Sequence, residues 1–182
     1  MTEKELFETY NKDVYKTCYF MLHHAADAED VCQEVFLTVF RHDWRRVEHL
    51  KTWLMRVTVN HCLNHLKKNS RAQANEKRLQ QLAPPAEKAA ETVAEEREAA
   101  KECVQLLSRL PGKIRAAVSL RFISECSLNE VADILSIPVG TVKSRLNKGL
   151  KLMKRMAEPA NDGKDGGAYG KGRTNVYSVF RR

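Results

Sequence analysis

Residues 131–154 read VADILSIPVGTVKSRLNKGLKLMK, two helical patterns interrupted at Ile137-Pro138. Proline suits a helix start, where its missing N–H loses no hydrogen bond, so a second helix is expected to begin there. Sorted at the helical period, Val142, Leu146, Leu150 and Met153 fall on one side and can pack on Val131, Ile134 and Leu135. Lys143, Ser144, Asn147, Lys148 and Lys151 fall on the other side. Lysines there can meet phosphates or guanine edges, and short polar side chains can meet base edges. A helix in the DNA major groove needs that mixture. The competing reading is a solvated cationic face on an ordinary helical hairpin.

Charge favours the first reading. The chain of 182 residues has a net charge of +8. Residues 103–157 hold ten Lys or Arg against three Asp or Glu, whereas residues 1–70 hold ten of each. The excess therefore sits where phosphates would be met. Just upstream, Ser127 to Glu130 read SLNE, a capping box that opens the first helix of the pair. Ala132 is small where two such helices must approach closely. A further helix carries Ile114, Val118 and Phe122, after a stop at Pro111-Gly112.

The N-terminal part is also helical in period. Leu6, Tyr10, Val14, Cys18 and Met21 share one face. A second helix follows HHAAD, with Asp27 as its expected cap and Val31, Val35 and Val39 as its buried stripe. After the polar break RHDWRRVEH, a third helix is expected from about Leu50 to Lys68, with Leu50, Trp53, Leu54 and Val57 inward. Residues 71–102, rich in Ala, Glu, Lys and Gln and holding Pro84-Pro85, read as a flexible linker. Residues 158–182 read as a disordered Gly-rich tail. The expected fold is thus all-α, with two small helical domains at 1–70 and 103–157 joined by the linker. Five scattered cysteines, without a C-x-x-C, read as reduced thiols of a cytoplasmic protein. No signal peptide opens the chain, and no apolar run approaches the ~20 residues needed to span a bilayer, so direct membrane insertion is not expected.

Residues 110–154, LPGKIRAAVSLRFISECSLNEVADILSIPVGTVKSRLNKGLKLMK, resemble region 4 of the extracytoplasmic-function sigma factors, IPVGTVKSRL most of all. ADAEDVCQEVFLTVFR (Ala26 to Arg41) resembles regions 2.1–2.2 of the same family, and TWLMRVTVNHCLNHLKK (Thr52 to Lys68) resembles regions 2.3–2.4. The resemblance implies a region 2 bundle of three to four helices and a region 4 helix-turn-helix. It implies three roles. Asp27, Glu29, Asp30, Gln33, Glu34 and Leu37 would form a face that docks on the β′ clamp helices of core RNA polymerase. Trp44, Arg45, Arg46, Arg56, Asn60 and Asn64 would open and hold the −10 element, with Lys67 and Lys68 on backbone phosphates. Lys143, Ser144, Asn147, Lys148 and Lys151 would read the −35 element of promoter DNA. The β flap and an anti-sigma factor are further implied partners. For Trp44 a place in the core competes with a stacking role, and Trp53 is expected inside. Ser136 stands where the helix-turn-helix turn often has glycine, so a left-handed backbone there would be strained.

Rival functions fit less of the chain. GGAYGKG fails as a phosphate loop, because three residues separate Gly166 from Gly170 and Gly172 follows Lys171 where Ser or Thr is required. His61, Cys62 and His65 lack further ligands at suitable spacing, so no metal is expected. No nucleophile–base pair stands out, so no enzyme, cofactor or small-molecule substrate is expected. A stand-alone helix-turn-helix regulator fits the opening stretch, but leaves the acidic second helix without a role.

Overall fold

The computed structural model describes residues 1–79 and 103–157. Every regular element among them is helical. Helix α1 spans Glu3–Leu22 and opens with a capping box between Thr2 and Glu5. It stops at His23, whose backbone is left-handed (φ 61°). Helix α2 spans Ala25–Phe40. Its cap is His24, not Asp27: His24 Nδ1 accepts the Asp27 N–H at 3.4 Å. The tight His23-His24 corner lets the two alanines enter the helix, moving its start forward. Asp27 then sits within the first turn, where a carboxylate still favours the positive helix end.

A 3-10 turn at Trp44–Arg46 leads to α3, Leu50–Leu79. This helix runs beyond its expected end near Lys68 into the stretch read as linker. No proline or glycine stands between Lys68 and Leu79 to stop it. Its buried stripe is Leu54, Met55, Thr58, Val59 and Cys62, while Leu50, Trp53 and Val57 are only half-buried. The stripe is shifted from the expected one because α3 is covered by α1 and α2 on one side and by the C-terminal helices on another. Thr58 Oγ1 satisfies itself by donating to the Leu54 carbonyl at 2.9 Å. The inward faces expected for α1 and α2 are buried, with Tyr10 partly so.

In the second half, residues 103–108 are helical, followed by α4 (Gly112–Phe122), α5 (Leu128–Leu135) and α6 (Val139–Ala157). The capping box forms as expected. Ser127 Oγ accepts the Glu130 N–H at 3.2 Å, and the Glu130 carboxylate accepts the Ser127 N–H at 2.7 Å. These bonds to Ser127 hold the Glu130 carboxyl below its usual range. The rest of the linker and the Gly-rich tail lie outside the described residues.

Helix α4 is central: Ile114 through Leu120 are all buried. One side meets α6 so closely that a Cβ added at Gly149 would lie 2.7 Å from Val118 Cγ2 and 2.9 Å from Ile114 Cγ2. The other side meets α1, where buried Arg115 donates to the Met21 carbonyl at 2.6 Å. His23 lies beside this arginine. Burial first, and then the Arg115 charge, lower its pKa to about 4. The five cysteines are buried and unpaired. Burial pushes Cys32 up to about 12 and Cys103 up to about 11, so these thiols are poor nucleophiles.

Gly149→Ala should overpack the α4–α6 contact and lower stability in urea by about 1–3 kcal/mol. Gly140→Ala is the control: its Cβ meets nothing within 4 Å, so replacing a helical glycine should be neutral or gain up to about 1 kcal/mol. His23 sets a pH dependence. An unfolded histidine titrates near ~6.5 and the folded one at about 4, so between these values the unfolded chain takes up a proton that the folded chain refuses. Its contribution therefore weakens stability as pH falls through that window. His23→Asn, tolerant of the left-handed backbone, should flatten the urea midpoint across the window. An unchanged slope would mean the ring is not held neutral.

Candidate nucleic-acid interface

The cationic face of α6 is built by packing its opposite side. Val142, Leu146, Gly149 and Met153 are buried, which leaves Lys143, Ser144, Asn147, Lys148 and Lys151 all exposed. None of the three lysines forms an ion pair with a described residue, so their charge is available to an outside polyanion. The α5–α6 turn is held by Ser136 in the left-handed region (φ 52°, ψ 49°), so the turn keeps the backbone that glycine would take there without strain. The Ile137 N–H donates to the Ala132 carbonyl at 3.0 Å, closing the end of α5. Pro138 begins the next helix, its carbonyl accepting the Thr141 and Val142 N–H groups at 2.9 and 3.1 Å.

The residues expected to meet the −10 strand divide. Asn60, Asn64, Lys67 and Lys68 are exposed on α3, and Arg45 and Arg46 are exposed beside it. Arg46 pairs with Asp43 at 2.9 Å, and the Arg45 guanidinium lies 4.5 Å over the Trp44 ring. Trp44 itself is 3% exposed. It is a core anchor, and a buried indole cannot stack on a base. The 3-10 turn points it inward, a geometry that helical phase cannot reveal. Arg56 is half-buried and turned toward the C-terminal helices, where it donates to the Asp133 carbonyl.

On α2, Glu29, Asp30, Gln33, Glu34 and Leu37 are exposed, Leu37 to 56%. Asp27 is half-buried between His65 of α3, at 3.3 Å, and His24, at 3.6 Å. Glu34 lies 3.5 Å from His61. The two histidines weighed as metal ligands therefore face carboxylates seven residues apart on the neighbouring helix. Among the described residues, no group of three or more His, Cys, Asp or Glu could hold a metal ion. Sequence reading also passed over Phe7, 41% exposed and packed edge-on against Phe36 at 4.8 Å. It passed over Arg115 too, although a lone arginine within the apolar run IRAAVSL was a visible signal. No described helix is long and apolar enough to cross a membrane.

Comparison with known proteins matches the description Sigma-70 region 2 to residues 6–72 and Sigma-70, region 4 to residues 101–153. The chain is similar to the ECF RNA polymerase sigma factor SigW of Bacillus subtilis, 29% identical over 163 residues that cover 83% of this chain and 86% of SigW. It is 26% identical to SigX of the same organism over 165 residues, covering 84% of this chain and 82% of SigX. In fold it resembles the sigma factor RpoE solved with the anti-sigma factor NepR from Bartonella quintana. There the TM-score is 0.65 at 17% identity, over 84% of this chain and 94% of that one. It also resembles CnrH solved with the cytosolic domain of CnrY, with a TM-score of 0.57 at 16% identity, over 85% and 86% of the two chains.

Proposed function

The chain belongs to the sigma-70 family of RNA polymerase sigma factors, of the extracytoplasmic-function type, and from that premise we propose how its surfaces divide promoter recognition. The domain at 1–70 binds core RNA polymerase and opens the −10 element. The domain at 103–157 binds the −35 element, and residues 71–102 connect the two. Asp30, Gln33, Glu34 and Leu37 form the docking face for the β′ clamp helices, with Asp27 and Glu29 at its acidic end. Asn60, Asn64, Arg45 and Arg46 hold the melted −10 strand, Lys67 and Lys68 neutralise its backbone, and Arg56 joins them once freed from Asp133. Lys143, Ser144, Asn147, Lys148 and Lys151 enter the −35 major groove. The protein acts in the cytoplasm as an initiation factor with no catalytic centre of its own. The β flap is a further contact, and an anti-sigma factor restrains the free chain.

One observation carries this reading. A single chain presents an acidic face with an apolar spot on α2 and, on α6, a cationic face without an ion pair among the described residues. A stand-alone DNA-binding regulator uses the second and leaves the first idle. DNA would be repelled by the α2 face, so that face suits a basic protein surface.

Asp30→Arg combined with Glu34→Arg should abolish binding to core polymerase while leaving the circular dichroism spectrum of the chain unchanged. Full binding by this variant would remove the docking face. Lys148→Ala should weaken duplex DNA binding and reduce the slope of log K against log salt by about one unit, the loss of one phosphate contact. An unchanged slope with weaker binding would reassign Lys148 to a base edge.

A further inference from the structure

Among the described residues, Met1, Phe7 and Leu37 are the large apolar side chains left exposed. Phe7 of α1 packs edge-on against Phe36, the residue before Leu37 on α2, with ring centroids 4.8 Å apart. Around them α2 carries Asp27, Glu29, Asp30 and Glu34, and no Lys or Arg. Asp27 and Glu34 face histidines of α3 at 3.3 and 3.5 Å, but Glu29 and Asp30 form no ion pair with a described residue. A ligand for this surface needs large apolar side chains set beside cations. Covering the leucine and phenylalanine removes apolar area from water, and it strengthens the attraction between the carboxylates and a nearby cation.

The chain itself holds such a segment. Residues 173–182 read RTNVYSVFRR, placing Val176, Tyr177, Val179 and Phe180 beside Arg173, Arg181 and Arg182, with no acidic residue after Asp165. Five glycines among residues 163–172 give the preceding stretch the composition of a flexible tether. The 15 residues from 158 to 172 can span about 20 Å on average and about 50 Å at full extension, enough to cross a compact body with a radius of gyration of about 14 Å.

The surfaces available to this segment differ in how well they suit it. Helix α6, from which it extends, bears exposed Lys151 and ends in Lys154 and Arg155, so like charge turns the segment away. Duplex DNA would take the arginines but leave four apolar side chains against phosphates and water. The α2 face suits both the arginines and the apolar groups. We propose that residues 173–182 dock on the α2 face as an intramolecular ligand, with their aromatic side chains on Leu37 and Phe7 and their arginines among Glu29, Asp30 and Glu34. A short tether holds its ligand at an effective concentration in the mM range, so even a contact with a Kd of about 1 mM between separate molecules is substantially occupied. The segment thereby competes with the protein that this face receives. That this protein is core polymerase rests on the proposed function; the contact itself does not.

Paramagnetic relaxation in the full chain tests the contact. Ser178→Cys takes a nitroxide selectively, because the native cysteines are all buried. The amide signals of residues 29–37 and of Phe7 should broaden. Adding Arg181→Glu and Arg182→Glu should abolish that broadening, and so should Leu37→Ser, made at an exposed site that leaves the circular dichroism unchanged. Broadening spread evenly over the surface, confined to α6, or persisting at α2 in both variants would overturn the docking. Weaker duplex DNA binding by the Arg181→Glu, Arg182→Glu chain, with no broadening at α2 before the substitution, would reassign the segment to DNA. Without the label, the same double variant should bind core polymerase several-fold more tightly than the native chain. Unchanged polymerase affinity despite lost docking would overturn the competition, and with it the place of polymerase on α2. Absence of polymerase binding by the native chain would instead defeat the functional assignment, and the relaxation results would still decide the contact.

Discussion

A missing side chain at Gly149 governs the orientation of α6, the helix proposed to meet DNA. Its absence lets α6 settle against Ile114 and Val118 of α4 at a distance that no Cβ would allow. Once that contact is made, the rotation of α6 is fixed. Val142, Leu146 and Met153 turn inward with Gly149, and the lysines, Ser144 and Asn147 turn outward. The capping box at Ser127 and the left-handed Ser136 then set where α5 ends and α6 begins.

The electrostatics follow a division of labour within one chain. The α2 surface is acidic around an exposed leucine, and α6 carries lysines that form no ion pair with a described residue. On the proposed function, nucleic acid would be drawn to the α6 face and repelled by the α2 face, which would keep DNA from competing for the docking surface. His61 and His65 stand against Glu34 and Asp27, tying the acidic helix to α3. The exposed face of α2 is thereby joined to the helix that carries Asn60 and Asn64.

What the sequence made legible depended on how many neighbours each helix has. Helix α6 packs chiefly through one side, so most of its stripe could be read from phase; Gly149 is buried where Leu150 was expected, Leu150 is half-buried, and the expected outward residues are exposed. Helix α3 is covered from two directions, so its buried stripe moved to Met55, Thr58 and Val59. Trp44 lies in a 3-10 turn with no helical phase to read, and only the fold shows it in the core. The start of α2 was misplaced because a histidine, an uncommon cap, supplied the acceptor. The lone arginine in IRAAVSL was a visible signal for Arg115, but its bond to the Met21 carbonyl, 94 residues away, is one that no local pattern announces. The family resemblance supplied the roles of the faces; periodicity supplied only their existence.

The most direct measurement is 5′-end sequencing of transcripts made by core RNA polymerase on fragmented genomic DNA, with and without the purified chain. Discrete new start sites, preceded by a shared pair of elements at −35 and −10, are the result expected of a sigma factor that selects promoters. Transcription by core enzyme that is unchanged by the chain, while the chain still binds duplex DNA, would contradict that assignment and leave a helix-turn-helix regulator in its place.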